Sequence, residues 1–252
     1  MRKFKLGNLT ELLTATNFKQ PQYEGTESRC YMFRKYVVLD RHSPWHKWDN
    51  MELRLSIAHR LGADVAQIME QKDNFIIMER AAGQPLFDVL HPNSNYLPLY
   101  ERIADAPQEH YDRLVKSILI DTMAGLQIDR APQNIMYSDK KGFCIIDLSS
   151  INKAPRRWRF KSRAKAVGVT LMKMAKIVPD DYRLSIELFD KISTKFRNSI
   201  DRYCSKAQTI KYFDAAKALQ RAIKFRRGDL KSAVELAKKA LNETKQVIIC
   251  KK

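Results

Sequence analysis

The sequence lacks any apolar run that approaches the roughly 18 residues needed to span a bilayer. Its beginning, MRKFKLGNLTELL, also lacks the continuous apolar core and the small-residue cleavage site of a secretory signal. With 252 residues, 44% of them apolar, the chain is still long enough to build a core, as one large domain or two small ones. We therefore expect a folded protein that stays in the cytoplasm.

Cysteine is scarce, and no two cysteines form a CxxC pair. The four cysteines are widely separated: Cys30, Cys144, Cys204 and Cys250. Neither a zinc site nor a disulfide framework is indicated by that spacing. The sequence also has no zinc finger, RNP-like aromatic motif or recognition-helix signature, so we expect no specific nucleic acid as a partner.

Positive charge is abundant but unevenly placed. Residues 1–150 hold 19 Lys and Arg against 19 Asp and Glu, whereas residues 151–252 hold 27 against 9, which accounts for the whole net charge of +18. Such a field attracts nucleic acid, anionic lipid surfaces, phosphorylated sugars or an acidic protein, and by itself it does not choose among them. For any single basic residue, a solvated lysine-rich helical surface is the simpler interpretation.

The apolar pattern predicts an α+β protein. Alternating runs in the first 80 residues predict strands, interrupted by one helix that Asn50 would cap and Gly62 would end. Gly83 and Pro85 predict a linker. A long helix is predicted from His110 onward, and the basic part of the chain, residues 151–252, is predicted to be helical. Its last two helices, separated at Asp229, are expected to pack as a terminal hairpin.

One stretch, residues 127–150, places polar side chains at spacings that phosphoryl transfer uses. Asp129 precedes Asn134 by five positions, and Asp147 follows a predicted hairpin of two short strands joined by the turn SDKKG. A loop before the hairpin and a loop after it would bring these three side chains together. The local alternative is that Asp129 and Asn134 form an Asx-type turn or a helix cap.

This order of parts and motifs resembles the protein-kinase-like fold, a bilobal fold with a small β-rich N-lobe and a helical C-lobe. The resemblance implies an N-lobe at 1–80, a C-lobe at 81–252 and an ATP site between them. It implies that Asp129 is the catalytic base and that Asn134 and Asp147 hold Mg²⁺. ATP and Mg²⁺ are the implied cofactors.

The same resemblance assigns the remaining nucleotide contacts. Gly25 lies in a predicted turn between strands that could cover a phosphate, and an ordinary hairpin turn is the alternative. Glu52 matches the helix glutamate of the family. Glu79 and Ala81 bound the segment whose backbone would face adenine.

The sequence departs from the family where a phosphate-binding lysine is usual, because Leu39 stands there. Arg41 lies two residues on, on the same face of the strand, and is our preferred substitute, with Lys35 as another nearby cation. Gln127 replaces the usual histidine before the base, and Ser149 replaces the glycine of the DFG motif. These departures leave open a pseudokinase that acts as a scaffold.

A narrower resemblance follows Asp147, where the segment PRRWR looks like one in bacterial lipopolysaccharide core kinases, which phosphorylate heptose or a related sugar. It implies an anionic sugar or glycolipid acceptor, with peripheral contact at the inner face of the membrane. A small bacterial protein kinase acting on an acidic protein remains the alternative. The implied acceptor-binding residues are Arg130, Arg156, Arg157 and Arg159, together with Lys161 and Arg163.

Overall fold

The structure is a computed structural model. It describes residues 23–24, 28–33, 35–41, 50–72, 75–88, 91–129, 131–150, 156–157, 159–177, 182–225 and 229–249. The described residues group into two compact units, one drawn from 1–46 and 66–81 and the other from 47–65 and 82–252. The predicted helix after Asn50 groups with the second unit, whereas the sequence placed it in an N-lobe at 1–80.

The first unit is built on an antiparallel sheet. Its strands are β1 (Tyr23–Glu24), β2 (Ser28–Met32), β3 (Tyr36–Arg41), β4 (Ile68–Lys72) and β5 (Phe75–Glu79), in the order β1-β2-β3-β5-β4. Val38 and Ile77 are paired across β3 and β5 and form a small buried core with partly buried aromatic neighbours. Side chains alternate between faces along each strand, so Leu39 belongs to the other face.

The second unit is mainly helical. Its helices are α1 (Met51–Arg60), α2 (Leu97–Asp105), α3 (Gln108–Ala124), α4 (Arg159–Ile177), α5 (Tyr182–Tyr203), α6 (Lys206–Phe225) and α7 (Leu230–Ile249). Helix α3 is the centre of this unit, because it packs against α1, α4, α5 and α6 and its residues Ile118, Leu119 and Ile120 are completely buried. Among the described residues, no helix has both the length and the apolarity of a membrane span.

Two of the predicted helix ends are confirmed, and one predicted cap is wrong. Gly62 follows the last turn of α1 in the left-handed conformation, with φ 88°, as expected for a helix stop. Asp229 caps α7, because its Oδ1 accepts a hydrogen bond from the Lys231 amide (2.8 Å) and its Oδ2 one from the Ser232 hydroxyl (2.7 Å). Asn50 makes no side-chain cap: its own backbone is left-handed, with φ 56°, whereas a capping side chain needs an extended backbone.

Short strands surround the predicted motif. They are β6 (Gln84–Pro85), β7 (Leu126–Ile128), β8 (Ile135–Ser138), β9 (Gly142–Ile145) and β10 (Leu148–Ser150). Strands β8 and β9 form the predicted antiparallel hairpin, and β10 pairs antiparallel with β7. Helices α6 and α7 pack as the predicted terminal hairpin.

The α+β fold class is therefore confirmed, with small antiparallel sheets in the N-terminal part and a helical C-terminal part. The predicted hairpin follows the N-terminal strands and precedes the C-terminal helices, as expected.

Candidate functional site

The pairing of β7 with β10 brings the two aspartates of the motif to one place. Leu148 lies opposite Ile128 in this ladder, so Asp147 immediately precedes the paired region and Asp129 immediately follows it. The Asp129 amide donates a hydrogen bond to the Asp147 carbonyl oxygen at 3.2 Å. Residues 18 positions apart in the chain are thus backbone neighbours.

Asn134 joins them through a short 3-10 turn, Pro132–Asn134. Its amide donates to the Ala131 carbonyl (2.9 Å), and its carbonyl accepts from the Ile146 amide (3.0 Å), which fixes its backbone between the two loops. Its side chain then reaches Asp147, with Nδ2 donating to Oδ2 at 3.3 Å. Asp129 and Asp147 are exposed and Asn134 is half-buried, so solvent reaches all three residues at least in part.

The predicted local alternative also occurs. Asp129 Oδ1 accepts a hydrogen bond from the Ala131 amide at 3.2 Å, which is an Asx-type turn. That turn uses one carboxylate oxygen and holds the side chain in place, which is compatible with Oδ2 orienting a hydroxyl group.

The side chains of Asn134 and Asp147 fit Mg²⁺ by their chemistry. Both offer oxygen, the ligand that this hard cation prefers. Because Nδ2 faces Asp147 Oδ2 in the structure, the Asn134 amide would flip to place its oxygen and Asp147 Oδ2 on one ion. In the part of the chain that the structure describes, no group of three or more His, Cys, Asp or Glu side chains is placed to hold a metal ion. A magnesium ion here would take its other ligands from phosphate and water, as Mg²⁺ commonly does.

Arg163 of α4, which the resemblance groups with the acceptor-binding arginines, contacts the end of α3 and the start of β7. Its Nη1 donates to the Thr122 hydroxyl (3.2 Å) and to the Leu126 carbonyl (3.0 Å), at the start of β7. Burial lowers the pKa of Arg163 to about 10. The half-buried guanidinium thus supports the chain three residues before Asp129.

Asp121 lies beside this contact and is completely buried. Within the described part of the structure neither of its carboxylate oxygens has a hydrogen-bond partner. Burial raises the pKa of Asp121 well above its ordinary value, the nearby Asp64 carboxylate adds to the rise, and the Arg163 cation opposes it. No sequence signal distinguished this carboxylate from the other acidic residues of α3.

The predicted nucleotide contacts in the first unit are placed as follows. Leu39 is half-buried and lies in the ladder between Cys30 and Ile76, an apolar row without a cation. Arg41 ends β3, and its side chain lies outside the described residues. Glu79 ends β5 and is exposed, and Ala81 is half-buried two residues later.

The remaining predicted site residues lie in the second unit or outside the described residues. Glu52 is exposed in the first turn of α1, where a carboxylate suits the helix dipole. Arg156 and Arg157 are exposed. Arg159 is half-buried as the first residue of α4, and its amide donates to the Arg156 carbonyl at 2.9 Å. Gly25 and Arg130 lie outside the described residues.

No protein-family model and no curated protein matches this chain. Among solved structures, the apo form of a pseudokinase is similar to it over 92% of this chain and 94% of its own, at 14% identity and a TM-score of 0.43. The proposals below therefore depend on the geometry of Asp129, Asn134 and Asp147.

Proposed function

We propose that this protein is a Mg²⁺-dependent phosphotransferase that moves the γ-phosphoryl group of ATP to a hydroxyl group. The observation that carries the proposal is the contact between Asn134 Nδ2 and Asp147 Oδ2 at 3.3 Å, with the Asp129 amide bonded to the Asp147 carbonyl at 3.2 Å. These hydrogen bonds bring Asp129 and Asn134 together with Asp147, which lies 13 or more positions further along the chain. Phosphoryl transfer uses this combination, because catalysis consists mainly of positioning and of neutralising charge.

Each residue has a distinct role in the proposal. Asn134 and Asp147 would hold Mg²⁺, which when bound neutralises charge on the phosphates. Asp129 would orient the acceptor hydroxyl and take its proton through Oδ2, while its Oδ1 keeps the Asx turn. Because the Asx turn restrains the carboxylate before substrate arrives, less ordering is needed in the reaction.

The nucleotide-binding roles extend this proposal. Gly25 would lie over a phosphate, Glu52 and Arg41 would order the phosphates, and the backbone between Glu79 and Ala81 would face adenine. Leu39 supports a weakened phosphate contact, since its row in the sheet is apolar.

For the acceptor we propose an anionic sugar, such as a phosphorylated lipopolysaccharide core sugar presented at the inner face of the membrane. The support is the +18 charge of residues 151–252 and the exposed Arg156 and Arg157, which follow the Asp147 loop in the chain. Arg159 and Arg130 complete the proposed acceptor-binding set. Phosphate oxygens are well matched to arginine, which donates two parallel hydrogen bonds.

The first experiment compares the wild type with Asp147→Ala and with Asp139→Ala. Asp139 is an exposed aspartate of the β8–β9 turn that pairs with Arg102, so it serves as a matched control for losing one surface carboxylate. We expect ATP with Mg²⁺ to raise the melting temperature of the wild type and of Asp139→Ala but not that of Asp147→Ala. The same pattern is expected for phosphate transfer from labelled ATP to a phosphorylated heptose or to an acidic protein.

The second candidate is a pseudokinase scaffold, which the apolar row at Leu39 favours. In that case neither nucleotide binding nor turnover would depend on Asp147. A wild type that shows no thermal shift with Mg²⁺-ATP at high concentration would refute the phosphotransferase and leave the scaffold. If the basic half instead binds RNA or DNA nonspecifically, affinity would fall steeply with salt and would survive Asp129→Ala.

A further inference from the structure

The junction between α3 and β7, residues 122–126, lies three residues before Asp129 and is held by side chains from distant parts of the chain. One of them, Arg54 of α1, is among the largest completely buried side chains of the protein, with 1% of its surface exposed. Its Nη1 donates to the Ala124 carbonyl at 2.8 Å and to Gln220 Oε1 of α6 at 2.8 Å. Gln220 in turn donates from Nε2 to the Met123 carbonyl at 3.2 Å. We call Arg54, Gln220 and the carbonyls of Met123 and Ala124 the junction clamp.

The clamp is electrostatically matched. Helix α3 has 17 residues and ends at Ala124, so its last carbonyls carry partial negative charge without partners inside the helix. A buried arginine is costly unless it is neutralised and hydrogen-bonded, and these carbonyls and the Gln220 amide oxygen supply that environment.

The clamp is also tightly packed. Gly125 caps α3 with φ 77°, and a Cβ added there would overlap both Arg54 Nη1 and Gln220 Nε2. A glycine is therefore required both for the backbone conformation and for the approach of the two side chains. Because the two side chains pack directly against Gly125, we expect small displacements of α1 or α6 to move the junction.

We propose that Arg54 is a positioning residue that fixes the helix bearing Glu52 relative to the loop bearing Asp129. This proposal depends on the function proposed above for those two carboxylates. Glu52 lies two positions before Arg54 on the same rigid helix, and Asp129 follows Gly125 through the three residues of β7. The clamp thus links Glu52 and Asp129 through the end of α3. It does so by two hydrogen bonds, from Arg54 to the Ala124 carbonyl and from Gln220 to the Met123 carbonyl.

Through Gln220, the C-terminal helices also contact the junction between α3 and β7. Helix α6 belongs to the basic half of the chain and packs against α7, and Gln220 is its contribution to the junction. The basic hairpin is then a support for the catalytic loop as well as a charged surface.

The test uses Arg54→Met, Arg54→Lys and Gln220→Leu, with Arg60→Met as the matched control. Arg60 lies on the same helix but is exposed, so its loss removes a positive charge without touching the clamp. Backbone amide hydrogen exchange is measured across α1, across residues 126–129 and across α5 as an internal reference. Steady-state turnover is measured with ATP, Mg²⁺ and the acceptor.

We expect Arg54→Met to raise exchange in both α1 and residues 126–129, to leave α5 unchanged, and to lower kcat by about 10²-fold, because a displacement of roughly 1 Å has that effect. Arg54→Lys should recover part of the loss, and Arg60→Met should behave as the wild type. Gln220→Leu should raise exchange in the same two segments to a smaller extent, and it carries the test if Arg54→Met does not fold.

Exchange that rises evenly, α5 included, would overturn the proposal, and so would exchange that rises in one of the two segments without the other. Turnover that stays at the wild-type level in Arg54→Met would also overturn it. If the wild type itself has no turnover, the proposed function fails, while the exchange measurements still decide whether Arg54 couples α1 to the Asp129 loop.

Discussion

The most direct physical test of the junction compares two glycines that end helices in the same way. Gly125 follows α3 with φ 77°, and Gly62 follows α1 with φ 88°, so an alanine at either position adopts an unfavourable left-handed backbone. They differ in their surroundings. A Cβ at Gly62 meets nothing within 4 Å, whereas a Cβ at Gly125 overlaps the side chains of Arg54 and Gln220.

The expected costs follow from that difference. Gly62→Ala loses only the backbone term of about 1–2 kcal/mol. Gly125→Ala loses the same term and also displaces Arg54 from the Ala124 carbonyl, and a hydrogen bond to a charged group contributes about 1.5–3 kcal/mol. The free energy of unfolding should therefore fall by about 2.5–5 kcal/mol for Gly125→Ala. For a protein of this size each kcal/mol lowers the melting temperature by about 2–4 °C.

Urea denaturation followed by far-ultraviolet circular dichroism measures both variants, because the helical signal comes mainly from the second unit, to which both glycines belong. Arg54→Met combined with Gly125→Ala should be less destabilised than the two single losses together, since the steric conflict is then relieved. Equal destabilisation by Gly62→Ala and Gly125→Ala would refute the reasoning, because it would mean that Arg54 and Gln220 can be displaced without loss of stability.

The remaining predictions concern the helical unit. The pKa of Asp121 is raised in the folded protein, so the unfolded chain loses this proton at a lower pH than the folded chain. The free energy of unfolding therefore falls as pH rises above about 4. Asp121→Asn should therefore raise the melting temperature at pH 7 and change it little near pH 3; a lower melting temperature at pH 7 would show an ionised Asp121 paired with Arg163. A Cβ at Gly168 of α4 would overlap the ring of Phe196. Gly168→Ala should therefore lower the free energy of unfolding, measured in urea, by about 1–3 kcal/mol, although alanine has the better helix propensity. Adding Phe196→Leu should restore much of the lost stability. A variant Gly168→Ala more stable than the wild type would contradict this packing.

Much of the local structure could be predicted from the sequence. The hairpin at residues 135–145, the helix that ends at Gly62 and the cap at Asp229 follow from short-range patterns, because turn residues and apolar periods act within a few positions. The proximity of Asp129, Asn134 and Asp147 was also predictable. A hairpin brings the residues that precede its first strand close to those that follow its second strand. Asn50 shows the limit of such rules, because its left-handed backbone prevents the cap that its side chain suggests.

The supports of the site were not predictable in this way. Arg163 stands in a run of basic residues, and nothing in that run indicates that it donates to the Leu126 carbonyl at the start of β7. Arg54 reads as an ordinary helical arginine, and its partner Gln220 lies 166 positions away.

The sequence by itself determined most of the helices and strands and their order, together with the spacing of Asp129, Asn134 and Asp147, because these depend on neighbours in the chain. Only the tertiary structure decided which arginines turn inward, because a helix buries the face that its neighbours cover, and those neighbours are set by packing between distant segments. For the loop that carries Asp129, that packing is the end of α3 held by Arg54, Gln220 and Arg163.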